Sequence, residues 1–159
     1  MSPQGQVADL AQEILKELAI SSSGPASVTV PVNRDGHIFV QVRFARAGRP
    51  YRFLLDTGAT YTLVNRQLLR EIMRESNGVT EIGKSIVTTA DGSANRVTRY
   101  RVKEAFLFDM PLGKIEIQAF DGKSRRVQNL LGVKSMKNLS VSIDNSSSKA
   151  EIRRKGGAE

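Results

Sequence analysis

One carboxylate in this chain stands where a strand would ordinarily continue. The run FLLDTGATYTLV, residues 53–64, sets Asp56-Thr57-Gly58 between two apolar stretches. A buried carboxylate is costly unless hydrogen bonds or function compensate, so Asp56 either turns the backbone, as Asp and Gly commonly do, or does chemistry. The rest of the composition narrows that chemistry. Cysteine is absent and His37 is the single histidine. Disulfides, thiolate nucleophiles and clustered Cys or His metal ligands are therefore excluded within one chain, and any Ser-His-Asp triad would have to use His37. His37 itself falls in RDGHIFV, a turn running into a strand, and reads as an ordinary strand-start residue. Carboxylate chemistry is what remains. An Asp-Thr-Gly arises by composition alone in about one chain in thirty, so only its surroundings give it weight.

Those surroundings are the elements that must position Asp56. With 159 residues, the chain is one domain able to bury roughly two thirds of its unfolded surface. It has no apolar run near the ~18 residues a membrane helix needs, and no cationic start followed by an apolar region. It is expected to be soluble as given, with no membrane segment. QVADLAQEILKELA places Val7, Leu10, Ala11, Ile14, Leu15 and Leu18 at spacings of three and four, predicting an N-terminal amphipathic helix within residues 1–20. Residues 21–27, SSSGPAS, read as a linker, residues 28–154 as the domain proper and residues 155–159 as a basic, flexible tail. Within the domain, short runs separated by turn residues predict a mostly β structure. One internal helix is expected at NRQLLREIMRES, capped by Asn65, with Leu68, Leu69, Ile72 and Met73 on one face. Two strands should join at Asp91-Gly92, a dipeptide suited to positive φ in a tight hairpin. A turn at DMPLGK, strands at KIEIQAF and VQNLL, and a last hairpin turned by NSSS complete the pattern.

The formal charge of +8 is uneven: residues 1–33 carry Lys16 against Asp9, Glu13 and Glu17, leaving 23 basic and 13 acidic groups, a net +10, in residues 34–159. Such a surface attracts nucleic acid, anionic lipid or acidic peptide. However, Arg99, Arg101 and Lys103 alternate with Thr98, Tyr100 and Val102, as on the wet face of a half-buried strand. Tryptophan is absent and the few Tyr and Phe are not clustered, whereas base-stacking surfaces want aromatic interleaving. No nucleic-acid partner is expected.

The order strand, Asp-Thr-Gly-Ala, Thr, strand, helix, hairpin, apolar-apolar-Gly, short turn and final strand resembles the single-domain retropepsin-like aspartic proteases of bacterial and cellular type. The resemblance spans residues 28 to about 154 and rests on FLLDTGAT at 53–60, TADGSA at 89–94 and NLLG at 129–132. It implies a closed-barrel acid-protease fold with one internal helix, and an aspartic endopeptidase active as a homodimer on extended peptide or protein substrates, with no cofactor and no metal. It further implies that Asp56 of each subunit forms the catalytic dyad and that the Thr57 hydroxyl reaches the other subunit's loop. Gly58 permits close approach, and Ala59 and Thr60 contact substrate. Ala90, Asp91, Gly92 and Ser93 form a flap tip over the substrate, while Leu130, Leu131 and Gly132 support the Asp56 loop from behind. Bacterial relatives are often tethered by an N-terminal membrane segment, which is compatible with a soluble periplasmic part of a longer protein and does not fix the compartment.

The sequence departs from the family at two points. After Gly132 the pattern usually continues with an acidic residue and bulky apolar ones, where this chain has Val133, Lys134, Ser135 and Met136. The flap tip carries Asp91, which would either approach the dyad on closure or face outward. These two features leave an alternative open, a catalytically silent protein-binding or dimerisation module on the same fold.

Overall fold

The computed structural model describes residues 26–122 and 128–155. The expected N-terminal helix, nearly all of the linker and the end of the basic tail lie outside the described residues.

Among the described residues, ten strands, one α-helix and one 3-10 turn follow in the order β1 Ser27–Pro31, β2 Phe39–Arg43, β3 Tyr51–Leu55, β4 Thr62–Val64, α1 Arg66–Glu75, β5 Val79–Thr88, β6 Ala94–Leu107, β7 Met110–Phe120, β8 Leu130–Leu131, the 3-10 turn Val133–Met136, β9 Leu139–Asp144 and β10 Lys149–Arg154. They form a three-stranded sheet of order β1-β10-β9 and a seven-stranded sheet of order β2-β3-β8-β4-β7-β6-β5. A second pairing of β2, to β6 through Val42↔Leu107 and Arg43↔Phe106, curls the larger sheet back on itself. The mostly β architecture with one internal helix is as expected.

Period-two alternation sends one side of each strand inward. On β2 and β3, Val40, Val42, Phe53 and Leu55 are buried, whereas Gln41 and Arg52, paired on the other face, are exposed. The same phase holds on β6, where Thr98 and Val102 are buried and Arg101 and Lys103 stand in solvent. The smaller sheet adds Val30, Ala150 and Ile152 to the same core.

Helix α1 begins where expected, because the Asn65 side chain accepts the Leu68 N–H at 2.7 Å. Its seam is narrower than predicted. Leu68, Leu69 and Ile72 are buried, but Met73 is 46% exposed, since the next position round the helix turns it away from the sheet. On the inner side the Tyr51 hydroxyl donates to Glu75 at 2.8 Å and to Glu71 at 3.2 Å, tying α1 to β3. Burial first, and then the two carboxylates, push the Tyr51 phenol well above its usual range.

Of the turn expected at DMPLGK only Asp109 turns, and Met110 to Lys114 are strand. Phe108 and Asp109 alone turn the chain, with Phe108 at φ 52°, and β7 starts at Met110. Three contacts with β2 hold the turn there: Phe108 N–H donates to Gln41 O at 2.8 Å, and the Arg43 guanidinium donates to Phe108 O at 3.2 Å and to the Asp109 carboxylate at 3.0 Å. Gly113, at φ 72°, sits where the β6–β7 register slips beside Ala105, so the glycine serves a bulge rather than a loop. VQNLL also contracts: among the described residues only Leu130 and Leu131 are strand.

Replacing Asn65 by Ala removes the cap and is expected to cost about 1 kcal/mol. Met73→Gln, on the open side of the same helix, should stay within about 0.5 kcal/mol of the parent. Urea unfolding midpoints of the two variants check both statements.

Candidate active site

The site is built from one short strand lying behind one loop. β8 runs parallel to β3 through Leu54↔Leu130 and Leu55↔Leu131, and antiparallel to β4 through Leu63↔Leu130. Its backbone therefore enters between the two strands that flank the Asp56 loop. Leu54 N–H donates to Asn129 O at 2.9 Å and Asp56 N–H to Leu131 O at 3.0 Å, so the strand carries the carboxylate to its very end. The chain then turns, Ala59 N–H returning to Asp56 O at 3.2 Å. Gly58 N–H donates to Asp56 Oδ1 at 2.9 Å, which orients the carboxylate. A Cβ at Gly58 would lie 3.3 Å from that same oxygen, so glycine lets loop and carboxylate approach closely.

The far half of the loop is held from beyond Gly132. Val133 N–H donates to Ala59 O at 2.8 Å and Lys134 N–H to Thr60 O at 3.1 Å. Thr62 Oγ1 accepts the Gly132 N–H at 3.1 Å and shares a hydrogen bond with Ser135 Oγ at 2.6 Å, both side chains being buried. The stretch that departs from the usual pattern thus makes a 3-10 turn whose serine is a specific partner of the loop. A Cβ on Gly132 would stand 2.4 Å from Tyr61 C and O, so no other residue fits without moving backbone.

The residues picked out at 56–60 and 130–132 are therefore brought together. Residues 90–93 are not: among the described residues no hydrogen bond joins them to the Asp56 loop. They form the tip between β5 and β6, with Gly92 at φ 85°. Asp91 Oδ1 accepts Ser93 N–H at 3.0 Å, Ser93 Oγ at 2.6 Å and Thr89 Oγ1 at 2.5 Å. The Ser93 and Thr89 hydroxyls, with the Ser93 amide, hold the Asp91 carboxyl well below the usual carboxylate range. The Asp91 carboxylate is exposed and bonded within its own turn, an arrangement outside the two orientations considered from sequence.

Phe39, Leu54, Leu63, Gln118 and Gly83 were not singled out from sequence, and with Leu130 and Arg99 they pair in register across seven strands, on the face opposite Val40 and Phe53; Arg99, expected in solvent like Arg101 and Lys103, is half-buried there. Phe39, Leu54, Leu63 and Leu130 are only half-buried and form an apolar floor beside Asp56. The signal available was phase: these apolar residues alternate out of step with the core residues beside them. Toward Arg99 the floor becomes charged. Arg99 holds Glu116 through two contacts at 2.7 and 3.2 Å, which lowers the Glu116 carboxyl and raises the guanidinium. Lys134 Nζ sits 4.8 Å from the centre of the Tyr61 ring. A cavity of about 280 Å³, sharing Leu54 with the floor, is lined by Asp56, Thr57, His37, Val141 and Ile143 among others. Among the described residues no group of three His, Cys, Asp or Glu side chains could hold a metal ion.

Residues 40–138 match the family model described as "gag-polyprotein putative aspartyl protease". In structure the chain is similar to a retropepsin-like aspartic protease from Rickettsia conorii, with 14% identity, a TM-score of 0.56, and coverage of 80% of this chain and 91% of that one. No curated protein matches the sequence.

Gly132→Ala is expected to cost at least about 2 kcal/mol, because the clash is with backbone that cannot repack, and denaturant unfolding will show it. For Asp91 the folded carboxyl titrates below its ordinary range, so the stabilisation of the tip is fully present above about pH 4 and is lost only as pH falls through the depressed folded value. Protection of the Ser93 amide in hydrogen exchange, corrected for intrinsic rate, should stay constant from pH 7 to about 4.5 in the parent. Asp91→Ala should lower it throughout that window.

Proposed function

The chain belongs to the gag-polyprotein aspartyl protease family and has a retropepsin-like fold; on that premise we propose that it is an aspartic endopeptidase that hydrolyses peptide bonds through a dyad of Asp56 residues, one from each subunit of a homodimer. The observation that carries this reading is the Asp56 carboxylate itself. It stands at the end of β3, oriented by the Gly58 N–H, backed by Leu131 O on its own amide, and opening onto a floor of half-buried leucines.

Hydrolysis by carboxyl groups alone uses a water held between two of them, one ionised to take its proton and one protonated to polarise the scissile carbonyl. Two adjacent carboxyls do not both ionise readily, so they share a proton and titrate as a coupled pair. The sequence has a single Asp-Thr-Gly and no Asp-Ser-Gly, so the second carboxyl comes from a second copy. Asp56 takes up the water's proton as the hydroxide adds to the carbonyl carbon. The partner carboxyl donates to the carbonyl oxygen, and collapse of the tetrahedral species returns a proton to the leaving amine.

The remaining assignments follow the loop. The Thr57 hydroxyl bonds across to the partner loop and fixes both carboxylates, Gly58 and Ala59 keep the approach narrow, and Thr60 meets the substrate backbone. The β5–β6 hairpin acts as the flap, with Ala90–Ser93 closing over an extended peptide and excluding water. The alternative of a silent module drew on Asp91 and on residues 133–136. Asp91 is satisfied within its own turn and Ser135 supports the loop, so neither feature disfavours catalysis.

Asp56→Asn should reduce cleavage of a diverse peptide mixture by on the order of a thousandfold or more while leaving the sedimentation behaviour unchanged. The parent's specific activity should rise with protein concentration as dimers form. Cleavage retained in Asp56→Asn would sink the assignment.

A further inference from the structure

The groove changes character along its length. Leu54, Leu130 and Leu63 make its apolar floor, and the same register continues through Gln118 to Arg99. Tyr61 stands where the two parts meet. Residues 61–64 alternate exposed, buried, half-buried and buried, so Tyr61 faces the same way as Leu63, two residues and about 7 Å along the chain. Its backbone lies against Gly132. Its ring is 39% exposed, with Lys134 Nζ 4.8 Å from the ring centre.

The charged groups at this end are not equally satisfied. Glu116 Oε1 accepts Arg99 Nη2 at 2.7 Å, and its Oε2 accepts Arg99 Nε at 3.2 Å and Gln118 Nε2 at 3.3 Å. Both carboxylate oxygens have donors, and Arg99 has its counter-charge. The Arg99 hydrogen bond first, with Gln118 and the charge of Lys134 behind it, holds the Glu116 carboxyl below its ordinary range against the opposing effect of burial. Lys134 differs from Arg99. Its backbone N–H donates to Thr60 O at 3.1 Å, which fixes the residue, but among the described residues no carboxylate lies within ion-pair distance of its ammonium. The Arg99–Glu116 pair is neutral as a unit, so the uncompensated charge at this end of the groove is that of Lys134.

We propose that Lys134, seated on the Tyr61 ring, is a specificity-determining residue: it recruits a substrate carboxylate, an Asp or Glu side chain two positions from the side chain that seats on the leucine floor. The proposal rests on the endopeptidase reading above. Side chains on one side of an extended peptide recur about every 7 Å, the step from Leu63 to Tyr61. A cationic side chain is disfavoured at the same place, because Lys134 repels it and both oxygens of Glu116 are already engaged. The second subunit carries the same groups under two-fold symmetry. The preference therefore falls at mirror-related positions on the two sides of the scissile bond. Lys134 is exposed, which sets the expected preference at about two- to fivefold and makes it decline as salt rises.

The test uses the full chain and two readouts. In the first, Asp56→Asn protein is titrated with the blocked peptides Asp-Ser-Leu-Ser-Asp, Asn-Ser-Leu-Ser-Asn and Lys-Ser-Leu-Ser-Lys, followed by NMR of the Tyr61 ring and the Leu63 and Leu130 methyls. In the second, the parent cuts a diverse peptide mixture and the residues flanking each cut are counted. The Asp peptide should bind about two- to fivefold more tightly than the Asn peptide, and the Lys peptide more weakly than either. Asp and Glu should be enriched by a similar factor at one pair of mirror positions. Added to either protein, Lys134→Met should bring Asp and Asn to parity, and Lys134→Arg, which keeps a cation on the ring, should track its parent. The amide of residue 134 still serves Thr60 O in both variants. Asp and Asn peptides that bind alike before Lys134 is changed, or a preference that survives in Lys134→Met, would overturn the proposal. Absence of cleavage by the parent would overturn the protease reading instead, while the NMR affinities still decide the role of Lys134.

Discussion

The whole site depends on a close approach of two backbones. Residues 130–134 press against residues 54–61 with no side chain between them at Gly132, where a Cβ would overlap the Tyr61 carbonyl. That contact lets β8 lie between β3 and β4 and supply hydrogen bonds to both. The loop carrying Asp56 is consequently specified by backbone partners on both sides, Leu131 O before the aspartate and the Val133 and Lys134 amides after it. A carboxylate at a strand end would ordinarily sample several rotamers; here its own loop amide selects one.

Much of this was legible where the determinants are local. Asn65 announces the helix start because capping is a contact over three residues, and Asp91-Gly92 announces the hairpin because positive φ is a property of the residue itself. The Asp-Thr-Gly-Ala context, with Leu130-Leu131-Gly132 far downstream, was enough for the family. What escaped depends on partners distant in sequence. The expected turn at DMPLGK gave way because Arg43 and Gln41 on β2 hold Phe108 and Asp109, and Gly113 and Pro111 suggested a loop more strongly than buried Met110 and Leu112 suggested a strand. Met73 was assigned to a buried face by helical spacing, whereas the width of that face is set by the sheet beneath it. The orientation of Asp91 was open because it depends on which of two hydroxyls and an amide the carboxylate meets.

Charge is distributed with more discrimination than the net +10 of residues 34–159 suggests. Arg101 and Lys103 on β6 remain in solvent, while three other cations are committed: Arg99 to Glu116, Lys84 to Asp121, Arg43 to Asp109. Exposed pairs of this kind contribute little to stability. Their larger effect is geometric, since each ties one strand or turn to another.

The threading of β8 also fixes an order of events during synthesis. Leu54 finds its neighbour only when Leu130 has emerged, and Ala59 waits for Val133. Contacts between such remote parts of a chain form slowly and late, and nascent chains grow from the N-terminus. The acidic loop therefore acquires its shape only after residues 130–134 have left the ribosome. Until then a nascent chain carries Asp56 in an unshaped segment.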